Sequence, residues 1–242
     1  MVVSHKYKYV FIALPRTASN AIAKELIENY AGEQILSHHS LYRDFLRTNI
    51  KGKNEYRPII GVRNPLDSAV SAYFKYRTAH HDIYRNPKVT KVGRLRRYVR
   101  YFNDTRRYRY VTMNNASFDD FFLRFYRLPY ADWSMLDRDK FSLVIRYENI
   151  QNDFSNVLRQ LEIEPVRALP IRNKTNKQTQ NYIEVYNRPE TIERAKRVFG
   201  PFMNIWGYKF PEEWSAYRES KFSDVMFPFV AGIYSIYWKY LR

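Results

Sequence analysis

Apolar residues along this chain occur in short runs that alternate with longer segments of helical spacing. Runs at residues 9–14, 59–62 and 141–146 have the length and the β-branched or aromatic content of buried strands, and residues 33–37 form a further short candidate. Each of the first three runs is followed by apolar positions spaced three or four residues apart, which are typical of a helix with one buried face. This alternation predicts an α/β fold in which helices flank a central parallel sheet.

The segment after the first run reads as a tight turn into a helix. Pro15 ends the strand, and Ser19 or Asn20 is placed to cap the first helical turn. A loop between a buried strand and a helix N-terminus presents backbone N–H groups and the positive end of the helix dipole. Arg16 and Thr17 add donors at the same point. The pattern predicts a site for an anion of the phosphate type.

The residues of this loop narrow the choice of anion. A nucleoside-triphosphate P-loop needs glycines and a lysine before Ser or Thr, and this loop has neither. The sequence PRTASNAI instead resembles the sulfotransferase loop that binds the 5′-phosphosulfate of PAPS (3′-phosphoadenosine 5′-phosphosulfate), with the pattern Pro-Lys-x-Gly-x-Thr/Ser. Alanine followed by Ser-Asn is most similar to the carbohydrate sulfotransferase branch, and arginine in place of lysine keeps the charge. The resemblance implies that PAPS is bound by Arg16, Thr17, Ala18, Ser19, Asn20 and Ala21.

A second motif follows the strand at residues 59–62. Arg63 ends that strand, Asn64 can cap a helix that begins at Pro65, and Ser71 lies eight residues after Arg63. This spacing resembles the 3′-phosphate motif of the same family, Arg-x-Pro-x-x-x-x-x-Ser-x-Tyr. The resemblance implies that Arg63 and Ser71 hold the 3′-phosphate. A basic loop at residues 172–177 resembles the family's Asn-Lys-Thr segment, which implies Lys174 as a further contact, with a solvated loop as the alternative. It also implies a central sheet like that of the P-loop NTPases, known as the sulfotransferase fold, and no metal.

Three side chains are candidates for the base that takes a proton from the acceptor. In many sulfotransferases a histidine just after the second strand has this role, and His39 lies at that place, with His38 beside it as the alternative. Histidine suits the role because its ordinary pKa is near 6.5. Glu148, after the strand at 141–146, is a third candidate. Its position at a strand end favours a structural hydrogen bond instead.

Composition limits the partners and the compartment. The 242 residues suit one domain, and 41 Lys and Arg against 24 Asp and Glu give a net charge of +17, so anionic partners are expected. The absence of cysteine excludes a disulfide framework and thiolate metal sites. The first predicted strand begins within ten residues of Met1, which leaves no room for a signal peptide. A cytoplasmic location is expected, with a peripheral membrane location as the alternative.

Two segments lie outside the core pattern. An insert at about residues 77–115 carries much of the positive charge, and it predicts either a cleft for an anionic acceptor or a contact with membrane or nucleic acid, of which we favour the acceptor. His80 and His81 in this insert have no carboxylate or cysteine pattern around them that would indicate a metal site. An apolar C-terminal helix is predicted at about 223–242, and its uncharged stretch, Val225 to Trp238, has 14 residues. A bilayer span needs roughly 20 apolar residues, so this stretch is too short and predicts a cover over apolar surface or an interfacial anchor.

Together the two motifs imply a sulfotransferase that moves the sulfuryl group of PAPS, by in-line transfer, to an acceptor hydroxyl on a carbohydrate or glycolipid. A nucleotide or small-molecule kinase on a similar strand–loop–helix site is one alternative, which the missing Gly-Lys-Ser/Thr disfavours. A basic module that binds polyanions or membranes is the other. Neither alternative explains why Arg63 and Ser71 follow the first loop in the order that the family has.

Overall fold

The computed structural model of the protein describes residues 1–78, 94–170, 181–214 and 221–240. The chain forms two compact units. Met1–Asn64 and Asp132–Lys174 make up the first, called the sheet unit, while Pro65–Ala131 and Thr175–Arg242 make up the second, called the helical unit. The sequence predicts one domain over residues 1–242, and that prediction stays a prediction.

The sheet unit contains a five-stranded open sheet. Its strands are β1 (Val2–Ser4), β2 (Tyr9–Ile12), β3 (Glu33–Gln34), β4 (Arg57–Val62) and β5 (Leu143–Arg146). They lie in the order β3-β1-β2-β4-β5, with β2, β4 and β5 parallel and with β1 antiparallel to both of its neighbours. The predicted mixed α/β fold with parallel central strands flanked by helices is therefore confirmed at this level.

Helices account for most of the remaining described chain. Within the described residues the α-helices are α1 (Ser19–Asn29), α2 (Tyr42–Leu46), α3 (Pro65–Arg77), α4 (Arg94–Met113), α5 (Phe118–Phe125), α6 (Ile150–Gln160), α7 (Pro189–Trp206) and α8 (Lys221–Tyr240). Short 3₁₀ turns at Trp133–Met135 and Tyr147–Asn149 flank β5 in sequence. The first three elements of the predicted order, strand, helix and short strand, are present with β1 added before them.

The core of the sheet unit lies between the sheet and the helices α1 and α6. Ile22 and Leu26 of α1 and Phe154 and Leu158 of α6 share one buried cluster with side chains of β2, β4 and β5. Their spacing of four residues places each pair on one helix face. Burying an aliphatic or aromatic side chain of this size contributes about 1.5–3 kcal/mol, so this cluster holds the strand ends, and the loops after them, in place.

The helical unit is built around aromatic side chains. Phe118, Phe121 and Phe122 of α5 pack with Tyr186 and Phe199 in one buried cluster. The helix α5 begins with a capping box in which Ser117 Oγ accepts the N–H of Asp120 and the carboxylate of Asp120 accepts the N–H of Ser117. The helix α7 begins with Pro189 in its first turn, where a missing N–H costs little, and continues to Trp206.

The predicted insert and tail are described in part. Within the insert the structure describes α4, while His80 and His81 lie outside the described residues, as does Lys174. The predicted apolar tail is the helix α8, which packs through one face and exposes the other. Among the described helices, none combines the length and the apolar character needed to cross a bilayer.

Candidate functional site

The loop between β2 and α1 has an unusual backbone for its sequence. Arg16 and Ala18 have φ angles of 70° and 56°, in the left-handed region that residues with a Cβ seldom adopt. This conformation costs roughly 1–3 kcal/mol for each of the two residues, so contacts with neighbouring residues must hold them in it. Left-handed residues next to right-handed ones are the backbone pattern from which anion-binding nests are made. The loop therefore has a conformation suited to an anion, although it lacks glycine.

Contacts with β4 explain how the loop is fixed. Thr17 is buried, and its hydroxyl donates to the carbonyl of Leu14 across 3.0 Å. A Cβ atom at Gly61 of β4 would lie 2.8 Å from Oγ1 of Thr17, so only glycine permits this approach of loop to strand. The side chain of Thr17 thus shapes the loop from beneath. The hydroxyl of Thr17 is therefore used within the loop, and only its backbone N–H can donate to a ligand.

The N-terminus of α1 is open. The prediction that Ser19 or Asn20 caps the helix is wrong, because Ala18 is the N-cap residue and no side chain caps this end. The carbonyl of Ala18 accepts the N–H groups of Ala21 and Ile22, at 2.9 and 3.2 Å. Among the described residues, the N–H groups of residues 17–20 have no acceptor. These four donors at the positive end of the helix dipole are available to an anion.

The other loop residues that were predicted to bind the nucleotide differ in the solvent exposure of their side chains. The side chains of Arg16 and Asn20 are exposed, whereas Ser19 is buried and turned toward His38. The N–H of Ala21, also predicted to contact the ligand, is engaged in the first turn of the helix. Arg16 is therefore the side chain of this loop that reaches solvent with a positive charge.

The second motif meets the first at Arg63. Because β2 and β4 are parallel neighbours, with Ile12 opposite Ile60, the residues after both strands lie at one edge of the sheet. The guanidinium of Arg63 is buried and donates from Nη1 to the carbonyl of Arg16 across 3.2 Å. Its Cζ atom also lies 4.0 Å from the ring centroid of Tyr147. The structure therefore brings a cation of the second motif onto the backbone of the first.

The stacking of Tyr147 on Arg63 was not predicted, although Tyr147 directly precedes Glu148 in the segment after β5. Strand pairing accounts for the contact, because β5 is the parallel neighbour of β4 and Arg146 is opposite Val62. Glu148 Oε1 accepts the N–H of Asn64 across 2.7 Å. The predicted structural hydrogen bond of Glu148 is thus present, and it fixes the chain directly after Arg63.

Both predicted histidines face the first loop. His39 Nδ1 lies 2.7 Å from the carbonyl oxygen of Ala13, the first residue after β2. Nε2 of His38 lies 3.4 Å from Oγ of Ser19. The two imidazole rings are in contact, with centroids 4.7 Å apart. The structure therefore brings His38, His39 and the first loop together, as the resemblance implied.

The surroundings of the histidines are partly apolar. The ring of Trp133 meets that of His39 edge to face, at 6.0 Å between centroids. Burial lowers the pKa of His38 below its ordinary value, and the neighbouring His39 lowers it further. His38 is therefore held in its neutral form at neutral pH. Trp133 was missed from the sequence because a single tryptophan in a short 3₁₀ turn gives no periodic signal.

Two predicted contacts lie outside the described part of the sheet unit. Ser71 is buried in α3 and belongs to the helical unit, so its contact with a 3′-phosphate stays a prediction. Lys174 lies outside the described residues. Across the part of the chain that the structure describes, no group of three or more His, Cys, Asp or Glu side chains could hold a metal ion.

Comparisons with known proteins give no family for this chain, so a functional assignment depends on the residues described above. Neither a family model, nor a curated protein, nor a solved structure matches the chain. The sheet unit thus presents an open helix N-terminus, a buried arginine that contacts the loop before it, and a histidine held by that same loop.

Proposed function

We propose that the protein is a PAPS-dependent sulfotransferase with the sulfotransferase variant of the P-loop-like fold, and that its acceptor is a hydroxyl group of a carbohydrate or glycolipid. The observation that carries the proposal is the hydrogen bond from Arg63 Nη1 to the carbonyl of Arg16. It joins the two motifs that resemble the 5′ and 3′ phosphate motifs of this family. A doubly phosphorylated adenosine requires two such groups of donors in one place.

Each end of the nucleotide has donors of its own in this proposal. The N–H groups of residues 17–20 and the side chain of Arg16 bind the 5′-phosphosulfate, and Arg63 binds the 3′-phosphate. A guanidinium presents five N–H donors in a planar fork, a geometry that matches the oxygens of a phosphate. Stacking on Tyr147 fixes the plane of that fork. Preorganised donors of this kind cost little reorganisation when the ligand binds.

His39 is the proposed base. The acceptor oxygen forms a bond to sulfur, the bond from sulfur to the 5′-phosphate oxygen breaks, and the acceptor proton passes to Nε2 of His39. The electron pair of the broken bond stays on the leaving phosphate, where Arg16 and the N–H groups stabilise it. Adenosine 3′,5′-bisphosphate is the second product. Proton removal by a positioned base is worth about 10²–10⁴-fold in rate.

The first test is nucleotide selectivity. We expect adenosine 3′,5′-bisphosphate to raise the melting temperature more than AMP or ATP does. The Arg63→Ala variant should lose the preference for the bisphosphate over AMP, because the 3′-phosphate loses its partner. Arg159→Ala is the control, since Arg159 is exposed on α6 and contacts Asn156. Isothermal titration of the folded variants gives the affinities.

The same titrations decide between functions. An unchanged affinity of Arg63→Ala for the bisphosphate would contradict the assignment of the second motif. A preference for ATP with Mg²⁺ would favour the kinase, and transfer of labelled phosphate would then identify it. Binding to polyanions without any nucleotide preference would favour the polyanion-binding module. Transfer of labelled sulfate from PAPS to glycans and glycolipids is the direct assay of the proposed activity.

A further inference from the structure

One face of α8 is apolar and exposed. The helix packs through its opposite face, where Ser223, Phe227 and Val230 are buried. Exposed apolar residues recur along the helix at intervals of three or four, so they form one stripe, and each exposes 58–67% of its surface: Phe222, Val225, Phe229, Ile233 and Ile236. A stripe of large apolar side chains on a helix surface is an unusual feature of a protein face that meets only water.

A cationic cavity opens at the start of this stripe. Phe222 lines a cavity of about 390 Å³ together with Arg127, Arg194 and Arg197. No carboxylate within the described chain lies within 4 Å of these three guanidinium groups. Arg194 donates to the carbonyl of Tyr126 across 3.3 Å, which orients it without neutralising its charge. Three cations thus face one cavity without an anionic partner in the described chain.

The electrostatics agree with this geometry. Burial lowers the pKa of Arg194, and the positive charges of Arg197 and Arg127 lower it further. The mutual repulsion of the three arginines is relieved when an anion enters. Arginine is well suited to phosphate because its planar fork of N–H groups matches the phosphate oxygens.

We propose that this cavity and the stripe of α8 together bind the surface of an anionic phospholipid membrane. The phosphate of a lipid headgroup lies among Arg127, Arg194 and Arg197, while the stripe lies in the boundary between headgroups and acyl chains. The net charge of +17 favours approach to an anionic leaflet. The stripe adds apolar burial, which a soluble phosphate would leave unused. The occupant is therefore a membrane surface that supplies both chemistries at one place.

This inference does not depend on the proposed sulfotransferase activity. Its residues all belong to the helical unit, whereas Arg16, Arg63 and His39, which carry the proposed activity, belong to the sheet unit. Nucleotide binding and membrane binding can accordingly fail separately. Should both be found, the protein would carry its chemistry to acceptors at a membrane surface.

The test is co-sedimentation of the full chain with vesicles of phosphatidylcholine, with and without phosphatidylglycerol. We expect binding to the anionic vesicles. Replacing Arg127, Arg194 and Arg197 by glutamine should reduce the affinity on the order of 100-fold, since each cation at an anionic leaflet contributes roughly five-fold. Lys51→Gln, Arg138→Gln and Arg159→Gln, combined, remove the same charge from exposed positions in the sheet unit and are the matched control. The control should lose less than about five-fold.

A second variant tests the stripe. Val225→Ser, Phe229→Ser and Ile233→Ser, combined, keep the charge and change only exposed positions, so the fold should be retained and vesicle binding should fall more than ten-fold. Equal losses in the cavity variant and its control would overturn the proposal in favour of general charge attraction. A melting-temperature shift with glycerol phosphate but no binding to vesicles would also overturn it, because the cavity would then be a site for a soluble anion.

Discussion

The imidazole of His39 has a defined tautomer in its neutral form. Its Nδ1 lies 2.7 Å from the carbonyl oxygen of Ala13, and a carbonyl only accepts, so Nδ1 carries the hydrogen. The lone pair is then on Nε2, which is the arrangement a general base requires. The bond also holds the ring at the end of β2, where the loop between β2 and α1 begins. This one hydrogen bond therefore determines both the position of the His39 ring and its tautomer.

This arrangement predicts the effect of removing the imidazole. We expect His39→Ala to lower kcat for sulfuryl transfer by about 10²–10⁴-fold, because the acceptor proton loses its base. Affinity for adenosine 3′,5′-bisphosphate, measured by titration, should be nearly unchanged. His38→Ala is the matched control and should lose less than about ten-fold. A larger loss in His38→Ala than in His39→Ala would transfer the role of base to His38.

The neighbouring His38 predicts a pH dependence of stability. Its pKa is lowered from 6.5 by burial and by His39, while the unfolded chain takes up this proton near 6.5. Below that pH the unfolded state binds more protons, so the free energy of unfolding should fall as the solution becomes more acidic. Above 6.5 this group has no effect. Urea unfolding of wild type and His38→Gln on both sides of pH 6.5 measures the part of this pH dependence that is due to His38. If the free energy of unfolding changed with pH in the same way in both proteins, the expectation would be contradicted.

At the scale of elements, β4 and the loop between β2 and α1 approach each other closely at Gly61. Gly61→Ala would place a Cβ atom 2.8 Å from the hydroxyl of Thr17, so the loop must move. We expect a loss of about 1–3 kcal/mol in the free energy of unfolding, together with weaker nucleotide binding. Gly232→Ala is the control, because nothing lies within 4 Å of the added atom and α8 gains helix propensity. Equal stability of both variants would contradict this account.

The strands and helices that were predicted correctly are those with a strong periodic pattern. β4 follows from an apolar run, and α3 follows from apolar positions at helical spacing and begins at Pro65 as predicted. β1 was missed because three residues give no measurable period, and its pairing with β2 is a long-range effect. The strand predicted at 33–37 is reduced to Glu33–Gln34 because it pairs only with the end of β1. Local pattern therefore predicts the long elements and misses the short ones that pairing creates.

The N-cap of α1 and the stacking of Tyr147 at the site could likewise not be predicted from the sequence. Ser19 and Asn20 are good capping residues, but the left-handed Ala18 takes the N-cap position and Ser19 turns inward. The resemblance of both motifs to parts of one nucleotide site implied that Arg16 and Arg63 lie close together, and Arg63 does contact the carbonyl of Arg16. The stacking of Tyr147 on Arg63 depends on the register between β4 and β5, which no single segment encodes. The resemblance thus indicated two residues that lie close together, whereas the register of the strands determines the contacts that they make.

At the scale of the whole molecule, a net charge of +17 attracts any anion, so affinity alone does not identify a site. Salt separates general attraction from a built site. The Debye length falls from about 10 Å at 0.1 M salt to about 3 Å at 1 M, which screens exposed charges but acts much less on buried ones. Arg63 is only 7% exposed, whereas most of the other cations whose side chains the structure describes lie at the surface.

We therefore expect the affinity for a sulfated polysaccharide to fall steeply with salt, while the preference for adenosine 3′,5′-bisphosphate over AMP persists at 1 M. The ratio of the two nucleotide affinities is the informative quantity, because attraction to the molecule as a whole largely cancels in it. Titrations of wild type and Arg63→Ala at low and high salt measure this ratio. If the ratio approached one at high salt in the wild type, the 3′-phosphate would be held by exposed charge, and Arg63 would be a structural side chain of the loop.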